Sequence, residues 1–128
     1  MKISFKAICD DAFVTAGSNN LNIIGIFEHI NSKSYPATHP RMSIVLSLVD
    51  CKPGQEISYY PIIEGPSGII LDGSKNPSLA KGVSNDKINL IFNVIGLNLP
   101  EPGRYLVKLF IEDLEKPETL EFEARLIN

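Results

Sequence analysis

Two adjacent aspartates and one histidine are the residues of this chain that best suit acid–base chemistry. Asp10 and Asp11 follow the first apolar segment, and His39 lies between Thr38 and Pro40. A catalytic carboxyl pair needs one member to be buried, because burial raises its pKa. We therefore name Asp10, Asp11 and His39 as candidate catalytic residues. The structural alternative is that one aspartate accepts backbone N–H groups at a strand end and that His39 occupies a turn.

The motifs of nucleophilic catalysis and of nucleotide binding do not occur in the sequence. A Ser-His-Asp hydrolase holds its serine at a sharp turn such as GxSxG. The nearest phrase is Gly65-Pro66-Ser67-Gly68, which is typical of a plain turn. Neither GxxxxGK[ST] nor GxGxxG is present. We expect no nucleotide and no other cofactor.

The potential metal ligands are scattered along the chain. Apart from the adjacent aspartates, no two have the close spacing of a strong site. The ligands are Cys9, Asp10, Asp11, His29, His39 and Cys51. We expect no metal site. The two cysteines lack a CxxC spacing, and we expect them to be free, buried thiols in a reducing compartment.

Two consecutive tyrosines are the candidate binding residues. Tyr59 and Tyr60 lie in an apolar strand segment. Tyrosine is favoured at protein interfaces, so this pair could form a binding face. Packing between neighbouring strands is an equally good explanation.

The length and charge of the chain limit its class. It has 128 residues, of which 44% are hydrophobic and 21% charged, so we expect one globular domain over residues 1–128. The net charge is −3. No basic cluster is visible, and six acids lie between Glu112 and Glu123. We therefore expect no nucleic-acid partner.

The N-terminal segment predicts a strand rather than a targeting signal. Lys6 interrupts the apolar residues, and Asp10 and Asp11 end them. No apolar run approaches the roughly 20 residues of a membrane helix. We expect no membrane partner and a cytoplasmic location.

Alternation of apolar and polar residues predicts an all-β fold. It recurs in at least five segments, with turn residues between them and no sustained helical period. About seven to nine short strands predict an antiparallel β-sandwich. Pro102-Gly103-Arg104-Tyr105, leading into an alternating strand, resembles the late-strand entry of immunoglobulin-like domains. That resemblance implies an immunoglobulin-like sandwich without the core tryptophan and paired cysteines of antibody domains.

One strand stands apart because it is apolar on both faces. The segment from Leu21 to Phe27 predicts a central strand covered on both sides. Between Met42 and Val49, Ser43 and Ser47 indicate the more solvated face. Residues 72–86 are polar and predict a long loop with a weak edge strand at Leu79 and Val83.

Four blocks in order resemble a known family. They are Cys9-Asp10-x-Ala12, Leu21-Asn22-Ile23-Ile24-Gly25-Ile26-Phe27, Pro36-Ala37-x-His39-Pro40 and Pro102-Gly103-x-Tyr105. The chain is similar to a family of small bacterial proteins catalogued as a domain of unknown function. The resemblance implies a β-sandwich and no activity.

Two functions from different classes follow. One is a non-enzymatic module that presents a sheet edge, a tyrosine face or its loops to a protein partner or to a second copy. The other is a small metal-independent hydrolase or lyase that uses Asp10, Asp11 and His39. We expect the module, because no nucleophile–base arrangement is legible and sandwiches expose edges that proteins pair.

Overall fold

The computed structural model describes residues 1–18, 20–81 and 86–128, and within them the regular structure consists of β-strands. Alternation places successive side chains on opposite faces of each strand. The described residues form ten strands: β1 Lys2–Val14, β2 Leu21–Ile26, β3 His29–Ser32, β4 Ala37–Val49, β5 Glu56–Gly65, β6 Gly68–Asp72, β7 Ser78–Lys81, β8 Ile88–Leu99, β9 Gly103–Ile111 and β10 Glu118–Leu126.

The strands form two sheets that pack face to face. Sheet A has four strands in the order β2-β1-β4-β8. Sheet B has six, in the order β3-β10-β9-β5-β6 with β7 also paired to β5. All pairs are antiparallel except β3 with β10, which run parallel. The predicted all-β sandwich is therefore confirmed.

The number of strands exceeds the predicted seven to nine. Two of the ten, β3 and β7, contain four residues each. A run of four residues is too short to establish an alternating pattern. Leu79 lies in β7, whereas Val83 lies outside the described residues.

The core lies between the sheets and consists of the alternate residues of the long strands. Met42, Ile44, Leu46 and Leu48 supply it from β4, and every one of them is fully buried. Opposite them lie two aromatic rings of sheet B, Tyr105 of β9 and Phe122 of β10, which stack at 5.2 Å. The core thus follows directly from period-2 alternation.

Tyr105 anchors the turn that precedes β9. Its ring is fully buried, and its hydroxyl donates to the Glu101 carbonyl at 2.6 Å. Gly65 on β5 makes room for the ring, because a Cβ there would lie 2.7 Å from a ring carbon. This hydrogen bond links the turn to the sheet.

β1 changes partners at its middle. From Lys2 to Cys9 it pairs with β4, and from Cys9 to Val14 it pairs with β2. Each half of β1 therefore has one unpaired side. The first half lacks a neighbour on the β2 side, and the second half lacks one on the β4 side.

β2 is an edge strand, so its prediction as a central strand covered on both sides is wrong. Its side chains Ile24 and Ile26 are 55% and 61% exposed. Within the described chain only β1 pairs with β2.

The structural alternative placed His39 in a turn, and this is also wrong. Ala37 begins β4, and His39 pairs with Leu97 of β8. Pro40 is tolerated because this part of β4 pairs only with β8; the pairing of β4 with β1 ends at Ser43. A proline without an N–H is compatible with an unpaired strand side.

Replacing Tyr105 by phenylalanine tests the anchor of β9. We expect Tyr105→Phe to lower the free energy of unfolding by about 1–2 kcal/mol, since the Glu101 carbonyl loses its buried donor. Urea denaturation measures the change. The matched control is Tyr60→Phe on the outer face of sheet B, which should change stability by less than about 0.5 kcal/mol. Equal effects of the two changes would contradict the role of the buried bond.

Candidate functional site

Cys9 lies where β1 leaves β4 and joins β2. Its thiol is fully buried, with Sγ 3.3 Å from the Asp11 carbonyl oxygen and 3.6 Å from that of Ser43. Burial raises the pKa of this thiol; the Asp11 hydrogen bond opposes the rise, and the charges of Asp10 and Asp11 add to it. A thiol in this setting is a poor nucleophile at neutral pH.

Asp11 stabilises the gap between β1 and β4. Its Oδ1 accepts the Ala12 backbone N–H at 2.9 Å and the Arg41 Nη2 at 2.8 Å. The carboxylate therefore accepts a hydrogen bond from the Ala12 N–H, which β4 no longer reaches. This is the structural alternative that the sequence offered for the aspartates.

Asp10 and His39 are neighbours on the same part of sheet A. The Asp10 carboxylate lies over Gly25 of β2, where a Cβ would overlap it and where φ is +69°. The His39 ring lies 5.6 Å from that of Phe27, between centroids. Only glycine suits position 25, for both reasons.

The His39 imidazole is neutral at physiological pH. Burial lowers its pKa, while the Asp10 charge and a hydrogen bond with the Arg41 backbone partly oppose this. Its Nε2 is buried and has no hydrogen-bond partner among the described residues. A base must lie within hydrogen-bond reach of a substrate proton, and this buried nitrogen is shielded from one.

The three candidate catalytic residues share a region without forming a constellation. Asp11 is bonded to Arg41, and no hydrogen bond joins Asp10, Asp11 and His39 to one another among the described residues. No group of three His, Cys, Asp or Glu side chains suited to a metal occurs in residues 1–18, 20–81 and 86–128.

The predicted tyrosine pair is divided between two faces. Tyr59 is buried in the core, and its hydroxyl donates to the Ile91 carbonyl at 3.1 Å. Tyr60 lies on the outer face of sheet B, where it stacks on Phe110 at 5.1 Å. Together with Leu114 and Pro117 this stack lines an open cavity of about 260 Å³. Only Tyr60 can contact a partner.

The outer face of sheet A was missed by sequence reasoning. Ser43 and Ser47, predicted to mark a solvated face, are 0% and 2% exposed. Each serine Oγ donates to an asparagine Oδ1 of β8 at 2.7 Å, Ser43 to Asn93 and Ser47 to Asn89. The matching four-residue spacing of the serines and asparagines was the available signal.

Larger apolar side chains surround Ser43 and Ser47, which we call the serine row. Val45 between the serines is fully buried, and Cys9, Ala12 and three half-buried residues pack against it, namely Leu21, Ile23 and Ile91. Phe5 and Ile26 extend the surface towards β2, and Ile95 extends it along β8. We call Phe5, Ile26, Ile91 and Ile95, with the serine row between them, the apolar face of sheet A.

A groove of about 580 Å³ adjoins the apolar face at the unpaired side of β1. Phe5, Ile8, Ile26, Phe27 and Leu120 are among its lining residues. It lies where β2 would be if it continued to pair with the first half of β1.

Phe27 and Glu28 close one end of this groove. Phe27 donates its N–H to the Ile8 carbonyl at 3.0 Å, and Glu28 accepts the Glu123 N–H at 2.9 Å. The Lys6 ammonium spans from β1 to β10, donating to Glu118 Oε1 at 2.7 Å and to the Thr119 carbonyl at 3.0 Å. A lysine at such an edge discourages further strand pairing.

Comparison with known proteins identifies the family. Residues 4–123 match a Family of unknown function (DUF6941). The chain belongs to this family. A search of curated proteins finds no match. The resemblance drawn from the four sequence blocks, to a family of unknown function, is confirmed.

The match to DUF6941 spans both sheets, from β1 into β10. It therefore includes the partner exchange at Cys9, the apolar face and the β2 edge. No described helix is long and apolar enough to cross a membrane.

The burial of His39 predicts a pH dependence of stability. Its pKa in the folded protein lies below the value of about 6.5 in an unfolded chain, so the unfolded state binds more protons as the pH falls through this range. We expect the free energy of unfolding to fall between pH 7.5 and pH 5.5, and His39→Phe to remove part of that fall. Denaturant titration at the two pH values measures it.

The exposed His29 on β3 supplies the matched control. His29→Gln should keep the wild-type pH dependence. If His39→Phe and wild type lose the same free energy between the two pH values, the neutral buried imidazole is contradicted.

Proposed function

We propose that this protein is a non-enzymatic protein-binding or assembly module that acts through the apolar face of sheet A and the adjoining β2 edge. The observation that carries the proposal is the exposure of a strand whose sequence is apolar on both faces. A soluble monomer rarely leaves a contiguous apolar patch uncovered, and larger patches mark interaction sites.

The distribution of charge supports this surface. Three segments of sheet A carry no charged residue, namely 12–27, 42–49 and 88–100. Sheet A has the ion pair Arg41–Asp11 at one end, where Arg41 pairs with Ile95. The outer face of sheet B carries ion pairs along its strands, including Lys108–Glu64, Arg104–Glu121 and Arg125–Glu123. Cores of protein interfaces are depleted in charged residues, which favours sheet A over sheet B as the contact surface.

The hydrolase or lyase alternative receives less support. Cys9 is buried, and burial raises the pKa of its thiol away from the nucleophilic thiolate. His39 is half-buried, and its buried Nε2 is shielded from a substrate. Asp11 is engaged by Arg41 and Ala12. Catalytic sites instead place a nucleophile and its base beside an accessible pocket.

An immunoglobulin-like classification and a cytoplasmic location belong to the same proposal. The hydroxyl of Tyr105, near the start of β9, bonds the backbone four residues upstream, as in the tyrosine corner of immunoglobulin-like sandwiches. The two cysteines are free and buried, which suits a reducing compartment.

Placing a charge on the apolar face tests the proposal. Ile95 is 70% exposed, so Ile95→Lys should fold normally. We expect immobilised wild-type protein to retain defined proteins from its own cells, and Ile95→Lys to retain at least about tenfold less of them, since a buried unpaired ammonium opposes binding. Quantitative mass spectrometry of the retained proteins measures the difference.

Leu79→Lys is the matched control, because Leu79 is 72% exposed on β7 of the other sheet. It should retain partners as wild type does. Recovery of the same proteins by wild type and Ile95→Lys would refute the apolar face as the binding surface. Repeated failure of folded wild type to retain any protein, itself included, would refute the module.

A further inference from the structure

On the unpaired side of β2, the hydrogen bonds to β1 determine which residues direct their backbone groups outward. The Thr15 N–H donates to the Asn20 carbonyl at 2.9 Å, which sets the hydrogen-bonded pairs of the β1–β2 hairpin. By alternation, Asn22 directs its backbone groups towards β1, and Leu21 and Ile23 direct theirs outward. Ala12 opposite Ile23 agrees, because its N–H is bonded to a carboxylate instead of to β2.

Other edges of the sandwich are shorter or flanked. β3 and β7 have four residues each and β6 has five. Asp72 in β6 and Lys81 in β7 add charges. β8, the other edge of sheet A, has twelve uncharged residues, and β6 and β7 lie against it. β2 has six residues without a charge or a proline. Proteins protect exposed strand edges by keeping them short or by placing charged residues or proline there. β2 has neither a charged residue nor a proline.

We propose that β2 pairs antiparallel with β2 of a second copy, across a two-fold axis near Ile23. Two four-stranded sheets A then join into one continuous sheet of eight strands. The inference rests on the proposed function and specifies its partner as a second copy of this chain.

The sequence of β2 suits a self-complementary contact. An isologous interface brings each residue against its symmetry counterpart or exchanges two residues across the axis. With the axis at Ile23, the two Ile23 residues form a hydrogen-bonded pair. Asn22 then lies opposite Ile24 of the partner chain, and Leu21 opposite Gly25. No charge faces a like charge, because residues 12–27 are uncharged.

The exposed apolar area of β2 suits a weak dimer. Ile24 and Ile26 of β2 are 55% and 61% exposed. Since a large side chain presents on the order of 150 Å², these two expose on the order of 170 Å² per copy. Two copies would therefore bury less than the roughly 1,000 Å² of stable specific interfaces, as weak and transient pairs do. We expect a concentration-dependent dimer.

Sedimentation analysis of the full chain tests the pairing. The monomer mass is 14.1 kDa. Wild type should sediment mainly as a dimer at about 100 µM and as a monomer at about 1 µM, as expected of a small interface. Ile24→Lys should remain a monomer at both concentrations, because a lysine blocks an edge. Leu79→Lys, with the same charge change at a different edge, should dimerise like wild type.

A cysteine at the axis tests the register. Paired residues of neighbouring strands have Cα atoms about 5.5 Å apart, within the range that a disulfide spans. Ile23→Cys should form a covalent dimer under mild oxidation, and Leu79→Cys should not. Cys9 and Cys51 are buried and do not compete.

The outcomes separate this inference from the proposed function. Wild type that stays monomeric at about 100 µM overturns the β2 pairing. A dimer that survives Ile24→Lys, without cross-linking of Ile23→Cys, also overturns it. In either case the proposed binding module is still supported if Ile95→Lys retains fewer proteins than wild type. It is refuted if Ile95→Lys retains the same proteins as wild type.

Discussion

The exchange of partners by β1 at Cys9 is the constraint on which the rest of sheet A depends. A strand has two sides, and β1 uses only one of them along each half. The unpaired side of the first half borders the groove, and that of the second half borders Asp11 and Arg41. β2 pairs with β1 only between Cys9 and Val14, and its other side is exposed. After β2 the chain crosses to sheet B at Phe27 and Glu28.

The polar residues around this exchange form hydrogen bonds to main-chain groups. Backbone groups that lose a strand neighbour still need partners when buried. The Cys9 thiol, the Asp11 carboxylate and the Lys6 ammonium supply them, each bonded to a main-chain group. Asp11, one of the residues that suggest catalysis in the sequence, therefore accepts a backbone N–H where β1 leaves β4.

Most of the fold could be predicted from the sequence, because alternation fixes which residues of a strand face the core. The all-β sandwich follows from it, as do Tyr105 and Phe122 as core residues. Alternation does not say which strands are neighbours, since that depends on contacts distant in sequence. For this reason β2 was predicted as covered, and the serine row of β4 as solvated. The position of Asp10 beside His39 could be proposed from residue type, but the buried, unpartnered Nε2 could not.

In the proposed dimer, the outward backbone groups of β2 are occupied by a second copy. Amide hydrogen exchange at individual residues, measured at high and low protein concentration, reports on these groups. We expect the Ile23 N–H to be protected at high concentration and to exchange freely on dilution, while the Asn22 N–H, directed towards β1, is protected at both. An Ile23 N–H that exchanges freely at every concentration would contradict the proposed dimer.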